Sequence, residues 1–134
     1  ETALNYMDQN YCSDLSLSDI AGKAYMSRTY FCSMFKEMNG LTPWEYINIK
    51  RINKAVELLK SSGLSISAVA TQCGYNNMAN FSRIFKQITG TTPKHIAINC
   101  NLFNLSLQFT CFYVEKWNFS ILGQREFFTF SPHS

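Results

Sequence analysis

The side chains here that could do chemistry are five cysteines, two histidines and twelve lysines and arginines, spread over 134 residues. The thiols are Cys12, Cys32, Cys73, Cys100 and Cys111; they form no C-x-x-C pair, and an odd number does not close into a disulfide framework. They read as small, buried, reduced thiols of a cytoplasmic protein. His95 and His133 do not follow zinc-ligand spacing. No cysteine sits beside a histidine or another clear base that would make it a nucleophile. The expectation is therefore no enzyme, no metal and no cofactor, which leaves the basic side chains.

Their distribution carries information that the overall net charge of +3 does not. Four acids (Glu1, Asp8, Asp14 and Asp19) precede the first base, Lys23. From Lys23 to Lys94 there are ten bases and only three acids, a local net charge of +7. Such a middle is either the footprint of a polyanion or an ordinary solvated surface. No apolar run approaches the roughly 18 residues that a membrane helix needs, so no membrane partner is expected.

The elements that must position these charges are written twice. "FKEMNGLTP" at 35–43 returns as "FKQITGTTP" at 85–93. Upstream, "LSLSDIAGKAYMSRTYFCSMFK" from Leu15 returns as "LSISAVATQCGYNNMANFSRIFK" from Leu64. Leu15 and Leu64 are 49 residues apart and Phe31 and Phe81 are 50 apart, so the second copy holds one extra residue between Cys73 and Phe81. An insertion belongs in a turn, and "GYNN" is turn chemistry: Gly74 tolerates positive φ, and Asn76 or Asn77 can cap a helix.

Each copy parses as helix, turn, helix. Leu17, Ile20, Ala21 and Ala24 fall at helical spacing, as do Ile66, Val69, Ala70 and Cys73. Ser27 has the place of an N-cap, with Met26 and Phe31 set to pack across it. Phe31, Met34, Phe35 and Met38 then form an apolar stripe, matched by Phe81, Ile84, Phe85 and Ile88. Gly40 and Gly90 end these helices. Between the copies Thr42 and Pro43 start a helix. Ile47, Ile52, Ala55, Val56, Leu58 and Leu59 give it a long apolar face, and Gly63 ends the run. It spans about 17 residues, or roughly 25 Å. A shorter helix over 2–11 stands in front. The expectation is an all-α fold of about seven helices.

On these pieces, residues 1–99 resemble the DNA-binding domain of the AraC/XylS family of bacterial transcription regulators. The matching text is "LSDIAGKAYMSRTYFCSMFKEMNGLTP", "YINIKRINKAVELL" and "ISAVATQCGYNNMANFSRIFKQITGTTP". The resemblance implies two helix-turn-helix subdomains, at about 15–40 and 64–90, joined by a long linker helix at about 43–61. It implies sequence-specific binding of double-stranded DNA, with two recognition helices in adjacent major grooves. It further implies transcription regulation by activation, contact with RNA polymerase, and an N-terminal sensor or receiver domain in the full-length protein. The chain does not begin with Met, and reads as the C-terminal portion of something longer.

Removing the apolar stripe leaves an outward face on each second helix. The resemblance places base contacts at Thr29, Cys32 and Ser33 on the first, and at Met78, Ala79, Ser82 and Arg83 on the second. Arg83 can pair with a guanine bidentately, and Met78 and Ala79 can touch a thymine methyl group. The first helix has no long polar group at its central positions and should read more weakly. Arg28, Lys36 and Lys86 suit phosphates, which position a protein without specifying sequence. Arg51, in the linker, reads as structural, and Glu37 and Glu57 as surface charges.

A helical protein-interaction scaffold without DNA binding is the alternative, but two repeats fall short of the three or more that normally make a stable solenoid. The remaining text, 100–134, departs from the family pattern. It is a Phe-rich tail holding seven of the eleven phenylalanines, with strand-like alternation at Leu105, Leu107 and Phe109. It reads either as a hairpin or as a frame-shifted or non-coding extension.

Overall fold

The structure, a computed structural model, describes residues 2–99; the expectations for the Phe-rich tail lie outside them. Seven helices occupy the described residues and no strand does, so the all-α expectation holds. They are α1 (Ala3–Asn10), α2 (Leu17–Lys23), α3 (Arg28–Asn39), α4 (Pro43–Ser61), α5 (Ile66–Gln72), α6 (Met78–Thr89) and α7 (Pro93–Asn99). No described helix is long and apolar enough to cross a membrane.

The chain divides into two compact units, the first running to Ile47 and the second beginning at Asn48. In the first, Met7, Ile20, Phe31, Phe35 and Ile47 are wholly buried together. The rings of Phe31 and Phe35 lie 5.8 Å apart, and Tyr46 meets Phe35 edge-on at 5.9 Å. Such ring pairs contribute about 0.5–1.5 kcal/mol beyond the area they bury. The Tyr46 hydroxyl donates to Asp8 Oδ1 at 2.6 Å, tying the start of α4 to α1.

The second unit repeats the plan with Ile52, Ala55, Val69, Cys73, Phe81 and Phe85. Phe81 and Phe85 lie 5.6 Å apart, and Tyr75 packs on Phe81 at 5.3 Å. The Tyr75 hydroxyl donates to Asn48 Oδ1 at 2.9 Å. Arg51, only 5% exposed, donates to the Gly74 carbonyl at 3.3 Å, and its guanidinium lies 5.4 Å from the Tyr75 ring centre. It holds the turn between α5 and α6 against α4, in keeping with a structural role.

The apolar stripe of α3 is narrower than its spacing predicts. Met34 and Met38 are half-buried, while Asn39 is buried. The Asn39 amide donates to the Phe35 carbonyl at 2.9 Å, which satisfies a polar group in the core. Ile88 of α6 is likewise half-buried. Of the described cysteines only Cys73 is buried; Cys12 and Cys32 are half-buried, which corrects the expectation of uniformly buried thiols.

Capping sets the boundaries. Ser16, Ser27, Ser65 and Asn77 each accept a backbone N–H from the first turn of α2, α3, α5 and α6. Gly40 and Gly90 close α3 and α6 at φ 75° and 79°, a conformation that costs glycine nothing. At α4, Thr42 Oγ1 accepts from Glu45 N at 3.2 Å and Glu45 Oε2 accepts from Thr42 N at 2.8 Å, a reciprocal capping box. The helix runs 19 residues, about 28 Å, longer than its apolar face alone suggests. Tyr46 and Ile47 join the first core, whereas Ile52, Ala55, Val56 and Leu59 join the second.

Candidate nucleic-acid interface

Two helix–turn–helix elements result, α2 with α3 and α5 with α6. Their turns carry the same backbone bonds. Tyr25 N donates to Gly22 O and Met26 N to Ala21 O; Gly74 N donates to Thr71 O and Tyr75 N to Ala70 O, all at 3.0–3.1 Å. The correspondence locates the extra residue of the second copy. Met26 directly precedes the cap Ser27, whereas Asn76 stands between Tyr75 and the cap Asn77.

In each second helix the phenylalanine pair faces inward, which turns the intervening positions outward. On α3, Arg28, Thr29, Ser33 and Lys36 are exposed and Cys32 is half-buried. On α6, Met78, Ala79, Ser82, Arg83 and Lys86 are all exposed. At 100° per residue, each set lies on one side of its helix. No acid stands in the first turn of either helix, and Lys36 and Lys86 lie in the last turns. The N-terminal ends of both faces are therefore free of carboxylates that would repel a phosphate backbone. Glu37, exposed, stands further along α3.

Two neighbours of these residues carry no mark in the sequence pattern. Tyr30 of α3 is 60% exposed. Asn80, in the same place on α6, is exposed, and its Oδ1 accepts a hydrogen bond from Arg83 Nη2 at 2.9 Å. Arg83 is thus paired with a neutral amide one turn back. The i, i+3 spacing on an outward face was the signal available for that pair. Among the described residues no group of three or more His, Cys, Asp or Glu is placed to hold a metal ion.

Residues 20–97 match a family model described as a helix-turn-helix domain. The chain belongs to the AraC-type helix-turn-helix family. This AraC-type domain is 35% identical over 92 residues to the regulatory protein PocR of Salmonella typhimurium, covering 69% of the chain and 30% of PocR. Among solved structures, the C-terminal domain of AraT, a response regulator from Geobacillus stearothermophilus, superposes with a TM-score of 0.68 at 30% identity. The match covers 72% of this chain and 81% of that one. The DNA-binding domain of AdpA, solved in complex with a target DNA, shares the fold, with a TM-score of 0.67 at 24% identity over 72% of this chain and 86% of that one. The AraC-type domain spans about a third of the length of three curated relatives it matches: 36% of LumQ, 30% of PocR and 34% of RafR. Family membership makes it a DNA-binding domain of transcription regulation.

Proposed function

We propose that this AraC-type domain reads double-stranded DNA with α3 and α6, each entering a major groove, and that the two grooves are adjacent. Base contacts are assigned to Thr29, Cys32 and Ser33 on α3 and to Met78, Ala79, Ser82 and Arg83 on α6. Arg28, Lys36 and Lys86 take phosphates. The observation that carries this reading is that both outward faces are exposed and acid-free in their first turns, with Arg83 on one of them. Arginine is the side chain best suited to a bidentate contact with guanine O6 and N7. A chain with two different reading helices calls for an asymmetric site rather than a palindrome. The full-length protein carries a sensor or receiver domain besides this one. Two observations support that reading: the chain covers only about a third of LumQ, PocR and RafR, and AraT, whose C-terminal domain it matches, is a response regulator. On the family resemblance alone, the proposed sign of regulation is activation, through contact with RNA polymerase.

The test is selection of bound duplexes from a random pool, followed by titration at several salt concentrations. With about six phosphate contacts the log–log slope of affinity against salt should be near −5. A selected site with base preferences in two successive major grooves supports the reading. A flat salt response, or selection without any sequence preference, would sink it.

A further inference from the structure

Asn80 lies among the proposed base contacts of α6 yet belongs to neither the base set nor the phosphate set. Its carbonyl oxygen holds one N–H of the Arg83 guanidinium at 2.9 Å, and both side chains are exposed. A guanidinium has five N–H donors in a rigid fork. The bond to Asn80 uses one and leaves the others for a bidentate contact. An exposed arginine samples many rotamers in solution, and ordering it on binding costs affinity. Asn80 is short, and its own backbone N–H is fixed by the Asn77 cap at 3.0 Å. It therefore offers a stiff acceptor one turn before the arginine. The first repeat has no such device, since Tyr30 and Ser33 stand at the corresponding positions.

We propose that Asn80 is a positioning residue for base recognition: it pre-orients the Arg83 guanidinium and so sharpens the base preference that Arg83 confers. This rests on the reading of Arg83 as a base contact. Asn80 acts through Arg83 rather than by reading a base of its own.

The test uses the full chain and the duplex selected from a random pool. Preference for that duplex over its single-base variants is measured for the unaltered protein, Arg83→Ala, Asn80→Ala, the double variant and Asn80→Asp. Alanine is a better helix former than asparagine, so folding should survive; circular dichroism checks it. Asn80→Ala should lower preference about two- to tenfold at the base pair that Arg83→Ala relaxes, the range expected from one mobile side chain. The double variant should lose no more than Arg83→Ala alone. Asn80→Asp keeps an oxygen acceptor, so it should restore the preference ratio while weakening all duplexes alike by its charge. Losses that multiply in the double variant, or a loss at a different base pair, would make Asn80 an independent reader and overturn the proposal. So would an unchanged preference in Asn80→Ala. If Arg83→Ala leaves every base preference intact, the base-contact reading fails first and this proposal falls with it.

Discussion

Tyr25 and Gly74 occupy the same place in the two repeats, and both are left-handed, at φ 57° and φ 93°. The turn demands that conformation in each copy, because the next residue must send its N–H back to Ala21 or Ala70. Glycine adopts it freely; a tyrosine is strained there by about 1–2 kcal/mol. With 81% of its surface exposed, Tyr25 gains little packing in return.

Tyr25→Gly should therefore stabilise the first unit. Relief of the strain, less the entropy glycine adds to the unfolded chain, leaves a gain of about 0.5 kcal/mol. Gly74→Ala should destabilise the second unit by about 1 kcal/mol. Urea unfolding midpoints check both. A loss in Tyr25→Gly would mean that the tyrosine side chain makes contacts that outweigh the strain.

Thr42→Ala removes one half of the capping box with Glu45 and should cost about 1 kcal/mol. Thr42→Ser keeps the hydroxyl and should cost a few tenths at most. Thermal melts of the two variants distinguish loss of the cap from loss of a methyl group.

Arg51→Ala should destabilise the second unit by about 2 kcal/mol, through the lost charged hydrogen bond to Gly74 and the lost packing of the arginine stem. Its effect on DNA binding should follow from stability alone. If the folded variant at low temperature loses base preference, Arg51 has a role at the interface as well.

Arg83→Ala should cost about 1–3 kcal/mol at the selected site and relax preference at one or two base pairs. Lys36→Ala should weaken all duplexes alike and reduce the salt slope by about one. Binding to selected and scrambled duplexes at two salt concentrations separates the cases. Equal weakening of both duplexes by Arg83→Ala would make that residue a phosphate clamp.

Repetition made the fold readable. Phe31, Phe35, Phe81 and Phe85 are wholly buried where their helical spacing put them, and Ser27, Gly40 and Gly90 cap as their types imply. Three features were hidden for physical reasons. Asn39 is buried because its amide folds back on its own helix, which polarity scales do not register. Tyr25 holds a glycine's conformation, and only alignment with Gly74 could have marked it. The Asn80–Arg83 bond joins two exposed side chains, so no burial pattern points to it. For the candidate interface, the stripe dictates which residues turn outward; the role of each there is set by the DNA, which the chain does not encode.

The two buried clusters have no residue in common, even though one helix supplies side chains to both. Substitutions in one repeat should then add to those in the other. Such a molecule can be revised one word at a time. Ser33 and Arg83, or Tyr30 and Asn80, differ in type between the two copies, while the scaffold text "FK…G…TP" is shared. If each repeat reads its own half of an operator, as proposed, one half can change and its reader follow without the other being rewritten.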